Sequence, residues 1–331
     1  MKKKYKFINI VYNNISLGGF ELDKGYSLEE IENNFKDEFV KNYHYSINFN
    51  DVNVLTIHIL KSYILHIKFF NIPLCERLND DCKRILLYLE ILEFLANSNY
   101  TDRILKVKNK FIDVSFASII AQRNLQIAQT LFREIQDSNQ LVCNFLTRDI
   151  IENIKLYLYL MRGAIKEEIL EGPYGKVVKE NKLLDIDKII DLYLLSENNS
   201  WDLNILKILK NNPSLEPWMQ VLKELNSLNT NCNKVIHKNG ITKITPNQIK
   251  YSNNIITKED IFKCIKFFVT LVICYDGKEI SSCDYIDCLE IGIIPPENSQ
   301  YWVAPIIKKF ISLEYTKTEI KHLQKLSYMD I

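Results

Sequence analysis

Hydrophobic and polar positions follow two different periods along this chain of 331 residues. The N-terminal part carries strand-like runs, rich in β-branched and aromatic side chains, at Tyr5–Tyr12, Tyr43–Phe49 and Val52–Ile67. Between the first two runs, Ser27-Leu-Glu-Glu30 has the pattern of a capping box, and apolar residues follow it at helical spacing as far as Phe39. This part of the chain is therefore predicted to be a small α+β unit.

From about Glu76 onward the apolar positions recur every three to four residues, as they do on one face of a helix. The chain is therefore predicted to be mainly α-helical, with a small α+β domain at residues 1–72 and a helical domain at residues 73–331 that ends in a C-terminal helical extension. Turn signals such as Gly172-Pro173 separate the predicted helices. These helices cover, in chain order, residues 85–95, 114–135, 147–170, 183–195, 203–210, 216–237, 258–275, 301–315 and 318–326.

The composition of the chain limits which binding partners and which cellular compartment are expected. The formal net charge is +1, from 42 basic and 41 acidic side chains, so no overall field attracts nucleic acid or an anionic lipid surface. The 8 cysteines are scattered through apolar segments with no cleavable signal peptide before them, which predicts a reduced protein of the cytoplasm. The longest apolar runs, such as Phe267–Tyr275, are about half the roughly 20 residues that a bilayer span needs, so no membrane helix is predicted.

Arg148 and Glu152 lie four residues apart in a segment that also contains Leu146, Ile150 and Ile154. The two charges therefore share one face of a helix that is predicted to be substantially buried. A buried arginine needs a carboxylate partner or a polar cavity. The pair is either a structural ion pair that ties two helices together or part of a site that holds a ligand.

His237 ends a predicted helix, and Asn233 precedes it by one turn on the same face. An imidazole is the side chain that most readily exchanges protons with a hydroxyl near neutral pH. Lys234 and Lys238 add positive charge nearby. The alternative is a histidine that is favoured by the dipole at the helix C-terminus and is followed by an Asn239-Gly240 cap.

Two motifs together resemble the HEPN superfamily, whose members are all-helical domains common in prokaryotic phage-defence and toxin systems. The motifs are Leu146-Thr-Arg148-Asp-Ile-Ile-Glu152 in an early helix and Asn231-Cys-Asn233-Lys-Val-Ile-His237 in a late helix. The resemblance covers about residues 114–275. It implies a helical bundle of the HEPN kind over this part of the chain.

Active members of that superfamily resemble metal-independent ribonucleases, in which an arginine and a histidine, separated by four to six residues, come from each of two protomers. The resemblance implies a homodimer in which His237 is the general acid or base toward an RNA 2′-hydroxyl. Arg148 and Asn233 would contact the phosphate in the transition state. Glu152 would orient Arg148, and cleavage would leave a cyclic phosphate.

The chain departs from the superfamily pattern at the motif arginine, because Cys232, Asn231 and Thr230 stand at the positions five to seven residues before the histidine. Either Arg148 supplies the cation from a neighbouring helix or catalysis has been lost. Further contacts to an anionic ligand would come from other polar groups near the two motifs. These groups are Asn231, Lys234, Lys238 and Arg162.

No cofactor or metal site is predicted. Cys274, Cys283 and Cys288 fall close together, with His237 or His322 as a further ligand, but their irregular spacing favours buried thiols. The sequence also has no glycine-rich phosphate loop. An NTPase of the same system would therefore be a partner protein.

Two functions follow from these patterns. The first is a HEPN-like defence protein of the anti-phage, abortive-infection or toxin type, which acts as a dimeric endoribonuclease and uses its N-terminal domain to sense a signal or partner. The second is a non-catalytic interaction or sensor protein that binds a partner protein or nucleic acid. Arg148 and His237 would line one open, positively charged cleft in the first case and would be paired within a filled core in the second.

Overall fold

The computed structural model describes twelve stretches of the chain, which together carry a mainly helical fold with a small mixed sheet at the N-terminal end. The predicted helices at residues 183–195 and 203–210 lie outside these stretches. The described residues are 3–36, 43–47, 53–59, 67–98, 103–107, 110–161, 218–237, 241–245, 248–251, 254–275, 293–294 and 304–327.

The helices and strands are numbered in chain order. The helices are α1 (Leu28–Asn34), α2 (Asp80–Ala96), α3 (Phe116–Gln136), α4 (Gln140–Met161), α5 (Met219–His237), α6 (Lys258–Tyr275), α7 (Pro305–Glu314) and α8 (Lys317–Ser327), with a 3-10 helix at Leu74–Arg77. The strands are β1 (Lys4–Tyr12), β2 (Ile15–Ser27), β3 (Phe35–Lys36), β4 (Tyr43–Ile47), β5 (Val54–Ile59), β6 (Lys68–Phe69), β7 (Ile72–Pro73), β8 (Arg103–Val107), β9 (Lys110–Val114), β10 (Ile241–Thr245), β11 (Gln248–Tyr251) and β12 (Ile293–Ile294).

The N-terminal sheet has the strand order β2-β1-β5-β4. Strands β1 and β2 form an antiparallel hairpin whose two-residue turn is Asn13-Asn14, with positive φ at both residues. Asparagine tolerates this left-handed conformation better than most side chains do, which explains the position of the turn. Strand β5 then pairs in parallel with β1, so the chain crosses over between them. Alternate residues such as Ile8, Ile10 and Ile57 are fully buried on the inner face.

The capping box at the start of α1 is confirmed. The Ser27 hydroxyl accepts a hydrogen bond from the Glu30 backbone at 3.3 Å, and the Glu30 carboxylate accepts one from the Ser27 backbone at 2.7 Å. The helix is shorter than its apolar spacing predicted. It ends at Asn34, because Phe35 leaves the helix to pair with Phe69 at the start of a small second sheet.

Most of the long helices agree with the periodicity of the sequence. Helix α6 has the predicted bounds, and α5 ends at His237 as expected. Helix α4 begins at Gln140 rather than at Thr147, since Asn139 and the residues before it form only a tight turn after α3. Several strands were not predicted at all. They are β2, β3, the β6–β7, β8–β9 and β10–β11 hairpins, and β12.

A continuous apolar core joins the N-terminal sheet to the helices. The Tyr12 hydroxyl at the end of β1 donates to Glu93 of α2 at 3.3 Å. The backbone N–H and carbonyl of Ser16 in β2 each form a hydrogen bond with the side-chain amide of Gln136 in α3. At the other end, Lys266 of α6 binds Glu319 of α8 at 3.0 Å. The division into domains at residue 72 stays a prediction.

Helix α4 lies in the middle of the helical part, where it packs against α3, α5 and α6. The side chains of α4 therefore face three other helices, and its polar groups can form contacts with polar groups of those helices. Of the described helices, none is long and apolar enough to cross a membrane.

Candidate functional site

The two motif helices, α4 and α5, pack side by side and run in opposite directions. Glu152, in the second half of α4, accepts a hydrogen bond from Asn229 in the middle of α5 at 3.2 Å. Nearer the start of α4, Asn144 and the later α5 residue Cys232 are both bound by Asn254, at 2.6 and 3.7 Å. The structure therefore brings the two sequence motifs together along one interface.

Helix geometry places Arg148 level with Asn233 in this antiparallel pair. Glu152 contacts Asn229. Arg148 precedes Glu152 by four residues in α4, and Asn233 follows Asn229 by four residues in α5. Because the two helices are antiparallel, both residues lie about 6 Å from that contact in the same direction. Arg148 also acts electrostatically on Cys232, the residue next to Asn233. We call Arg148, Glu152, Asn229 and Asn233 the polar row.

Glu152 does not hold Arg148, although the four-residue spacing predicted that it would. Its carboxylate accepts a hydrogen bond from Lys155 at 2.9 Å and one from Asn229 at 3.2 Å. Lys155 is buried, with only 5% of its surface exposed, so its ammonium takes the nearest carboxylate. The expected intrahelical ion pair is therefore replaced by a contact with a buried lysine that the sequence analysis did not single out.

Arg148 is left without a hydrogen bond or ion pair to any described residue. Its Nε is buried and has no hydrogen-bond partner, while the residue as a whole is partly exposed. Its nearby electrostatic interactions are with Asp149 and Cys232. Desolvation raises the pKa of Asp149, and the positive charge of Arg148 opposes that rise. Burial raises the pKa of the Cys232 thiol to about 12, and Arg148 opposes this rise as well.

The two asparagines of the polar row also have unused hydrogen-bonding groups. The amide oxygens of Asn229 and Asn233 are buried and accept no hydrogen bond, and Asn229 is only 2% exposed. Nearly all buried polar atoms in folded proteins are paired, so three unpaired atoms in one row are unusual. A polar ligand or ordered water between α4 and α5 would satisfy them.

His237 lies one further turn along α5 from Asn233, about 6 Å by helix rise. The imidazole is exposed and makes no hydrogen bond to a described residue. Lys234 is exposed on the same last turn, and Asn231 is partly exposed. Two predicted binding residues, Lys238 and Arg162, lie outside the described residues. The histidine therefore stands at the open end of the row.

Besides Lys155, two further features of this site were missed from the sequence. One is Asn229, although its spacing of four residues from Asn233 and eight from His237 is the signal that could have found it. The other is the Asn144–Asn254 pair, in which each side-chain amide binds the other residue, at 2.6 Å to Oδ1 and 2.9 Å to the backbone carbonyl. The two residues are more than a hundred positions apart in the sequence, so no local sequence pattern predicts their contact.

The described part of the row offers cationic and amide groups rather than metal ligands. Within the part of the chain that the structure describes, no group of three or more His, Cys, Asp or Glu side chains is placed to hold a metal ion. Cys283 and Cys288 of the predicted thiol group lie outside the described residues. A guanidinium and amides next to an exposed imidazole match an anionic ligand that carries an exchangeable proton.

Comparison of the chain with protein-family models, with curated proteins and with solved structures found no match.

Proposed function

We propose that this chain is a HEPN-like defence protein whose polar row binds the phosphodiester backbone of RNA and whose His237 promotes cleavage. The observation that carries the proposal is Arg148, whose buried Nε has no hydrogen-bond partner and which forms no ion pair with a described residue. A partly buried cation to which no described carboxylate binds is suited to a phosphate, which accepts hydrogen bonds from several of its donors at once.

The roles of the residues follow from their positions. Arg148 and Asn233 lie level and contact the phosphate, where the guanidinium stabilises the charge that develops in the transition state. His237, at the exposed end, exchanges a proton with the 2′-hydroxyl or the leaving oxygen. Glu152 does not position Arg148 but holds Asn229 and Lys155 in place. Lys234 adds charge along the path of the strand.

A homodimer of HEPN-like bundles belongs to this proposal, since two copies would bring two histidines to one RNA. The activity would serve anti-phage defence or a toxin system, with an NTPase as a partner protein where one is needed. These features rest on the resemblance of the two motifs and are proposed together with the cleavage.

The second candidate is a protein that binds RNA or a partner through the same row without cleaving it. Two observations favour it. The superfamily's motif arginine is absent, and His237 has no hydrogen bond to a described residue that would fix its ring. A catalytic base is usually oriented by a third group, so an unanchored imidazole favours binding without chemistry.

Incubation of labelled single-stranded RNA with the purified full chain in EDTA separates the two candidates. The ribonuclease proposal expects cleavage that leaves 2′,3′-cyclic phosphate ends and that falls by about 10²–10⁴-fold in His237→Ala. His322→Ala, in which the other described helical histidine is removed, is the control and should cleave normally. RNA that is bound but left intact by the wild type would overturn the ribonuclease proposal in favour of the second candidate.

A further inference from the structure

A group of packed aromatic rings lies on the N-terminal part of the molecule, away from the polar row. We call Phe20, Tyr26, Phe69 and Phe70 the aromatic shelf. Phe69 is fully buried at its centre, and the other three rings are partly exposed. The ring centroids of neighbouring members lie 4.7 to 5.7 Å apart, so the four side chains form one continuous surface.

Arg77 lies against this shelf. Its guanidinium carbon is 5.2 Å from the centroid of the Phe20 ring and 5.6 Å from that of the Phe69 ring. Its Nε is buried without a hydrogen-bond partner, and no described residue forms an ion pair with it. Aromatic rings hold a guanidinium by cation–π attraction but offer no lone pairs, so the buried Nε–H of Arg77 still lacks an acceptor among the described residues.

Two described acidic groups near the shelf already have partners. The Asp23 carboxylate accepts a hydrogen bond from the Tyr26 hydroxyl at 2.8 Å, and that of Glu30 accepts one from the Ser27 backbone at 2.7 Å. Lys24, by contrast, lies 5.2 Å from the Tyr26 ring centroid and forms no ion pair with a described residue. Arg77 and Lys24 are therefore two cations beside the shelf that form no ion pair with a described residue.

The backbone at Phe70 supports a role for its ring. Phe70 and Asn71 form a two-residue turn between β6 and β7, with φ of 51° and 61°. The equivalent turn between β1 and β2 uses Asn13 and Asn14 at φ of 45° and 65°. A bulky residue is strained in this left-handed conformation, whereas asparagine is not. Strain of this kind persists where the side chain serves another purpose.

We propose that the aromatic shelf binds a nucleotide, with the base stacked on Phe70 and Tyr26 and the phosphate held by Arg77 and Lys24. Stacking accepts any base, because every base has a flat π face, and the arginine supplies the donors that a phosphate oxygen accepts. The ligand has one chemistry but two sources, a free mononucleotide or one unit of an RNA strand. The proposal does not depend on cleavage at the polar row.

Calorimetric titration of the full chain tests the site. The titrants are the four ribonucleoside 5′-monophosphates, the matching nucleosides and inorganic phosphate. A short RNA whose 2′-hydroxyls are methylated, so that it cannot be cleaved, is titrated in parallel. The expected result is that Arg77→Gln and Phe70→Asn each weaken binding at least about tenfold. Phe70→Asn removes the ring but suits the turn, so its thermal midpoint should not fall.

Matched controls are Arg133→Gln, which removes a half-exposed arginine of α3, and Phe7→Thr, which removes an exposed phenylalanine of β1. Both should bind as the wild type does. Mononucleotide binding that is lost in the shelf variants identifies a free nucleotide as the ligand, and loss confined to the methylated RNA identifies a strand. Equal affinity of wild type and both shelf variants for every ligand would overturn the proposal.

Discussion

Two arginines on different helices, Arg84 of α2 and Arg148 of α4, have opposite surroundings. Arg84 donates from Nε and Nη2 to the Glu314 carboxylate at 2.9 to 3.1 Å and from Nη1 to Glu259 at 2.6 Å. Its guanidinium also lies 4.4 Å from the Phe262 ring centroid. Arg148 has none of these contacts within the described residues, and its Nε is buried without a partner.

The difference separates a structural arginine from a candidate binding arginine. Arg84 ties α2, α6 and α7 together, and its donors are used. A buried donor without an acceptor costs about 1–3 kcal/mol, so Arg148 weakens the free protein unless a ligand or water satisfies it. The comparison therefore predicts that loss of Arg84 contacts harms stability and that loss of Arg148 harms ligand binding.

Of the effects that distinguish the two arginines, the largest is expected on RNA cleavage by Arg148→Ala. Removing one group that stabilises charge in a transition state lowers the rate about 100–1,000-fold. Quantitation of cleaved RNA in EDTA measures the loss, with Arg133→Ala as a charge-matched control. Cleavage that survives intact in Arg148→Ala would assign the arginine to structure and remove the contrast with Arg84.

The next effect concerns Glu90 of α2, another buried group with an unpaired oxygen. Burial raises its pKa from 4.5 to about 7, Lys309 of α7 opposes the rise and Glu93 adds to it. Because the pKa of Glu90 is raised in the folded state, the folded protein is more stable with Glu90 protonated than with Glu90 ionised. This stability is fully present below the unfolded-state pKa and is lost as the pH rises through about 7. That pKa difference corresponds to about 3 kcal/mol.

Urea unfolding of the wild type and Glu90→Gln between pH 4 and pH 8 tests this expectation. The wild type should lose stability relative to the variant as the pH rises, since Gln stays neutral. A constant difference between the two proteins over this range would show that the pKa of Glu90 is the same in the folded and unfolded states, so that burial does not disfavour its ionisation.

Glu314→Gln should lower the free energy of unfolding by about 2 kcal/mol, because it removes the charge that Arg84 and the Tyr88 hydroxyl bind. The matched variant is Glu224→Gln at the exposed Lys263–Glu224 pair, where the expected loss is under about 0.5 kcal/mol. Urea unfolding compares the two variants. Equal losses would mean that the junction of α2 with α7 is no stronger than a surface ion pair.

The smallest effect is expected for Arg148→Met on the stability of the free protein. Methionine keeps the aliphatic volume and removes a buried donor that has no partner, so the free energy of unfolding should stay within about 0.5 kcal/mol of the wild type or rise. A loss of 2 kcal/mol or more in the same urea experiment would mean that Arg148 is held as firmly as Arg84.

The sequence predicted local features well where one helix face decides the outcome. The bounds of α6, the end of α5 at His237 and the capping box at Ser27 all follow from side-chain spacing within one element. It failed where pairing between strands decides. Strand β2 contains Gly18, Gly19 and other weak strand formers and is held by its hairpin with β1.

The same limit applies to the candidate site. The spacing of Arg148 and Glu152 gave their common face but not their contact, because Lys155 competes for the carboxylate. Competition of this kind depends on burial of the lysine, which three-residue spacing alone does not reveal. The approach of α5 to α4, which brings Asn229 to Glu152, depends on packing of whole helices.

The most direct test of phosphate binding by Arg148 is the affinity for a labelled single-stranded RNA whose 2′-hydroxyls are methylated, so that the chain cannot cleave it. Fluorescence anisotropy would compare the wild type with Arg148→Met and with Arg133→Met, which removes the same charge from α3. Arg148→Met should bind at least about tenfold more weakly than the wild type, as expected for loss of a charge-assisted phosphate contact, while Arg133→Met should bind as the wild type does. Equal affinity of Arg148→Met and wild type would contradict phosphate binding by Arg148.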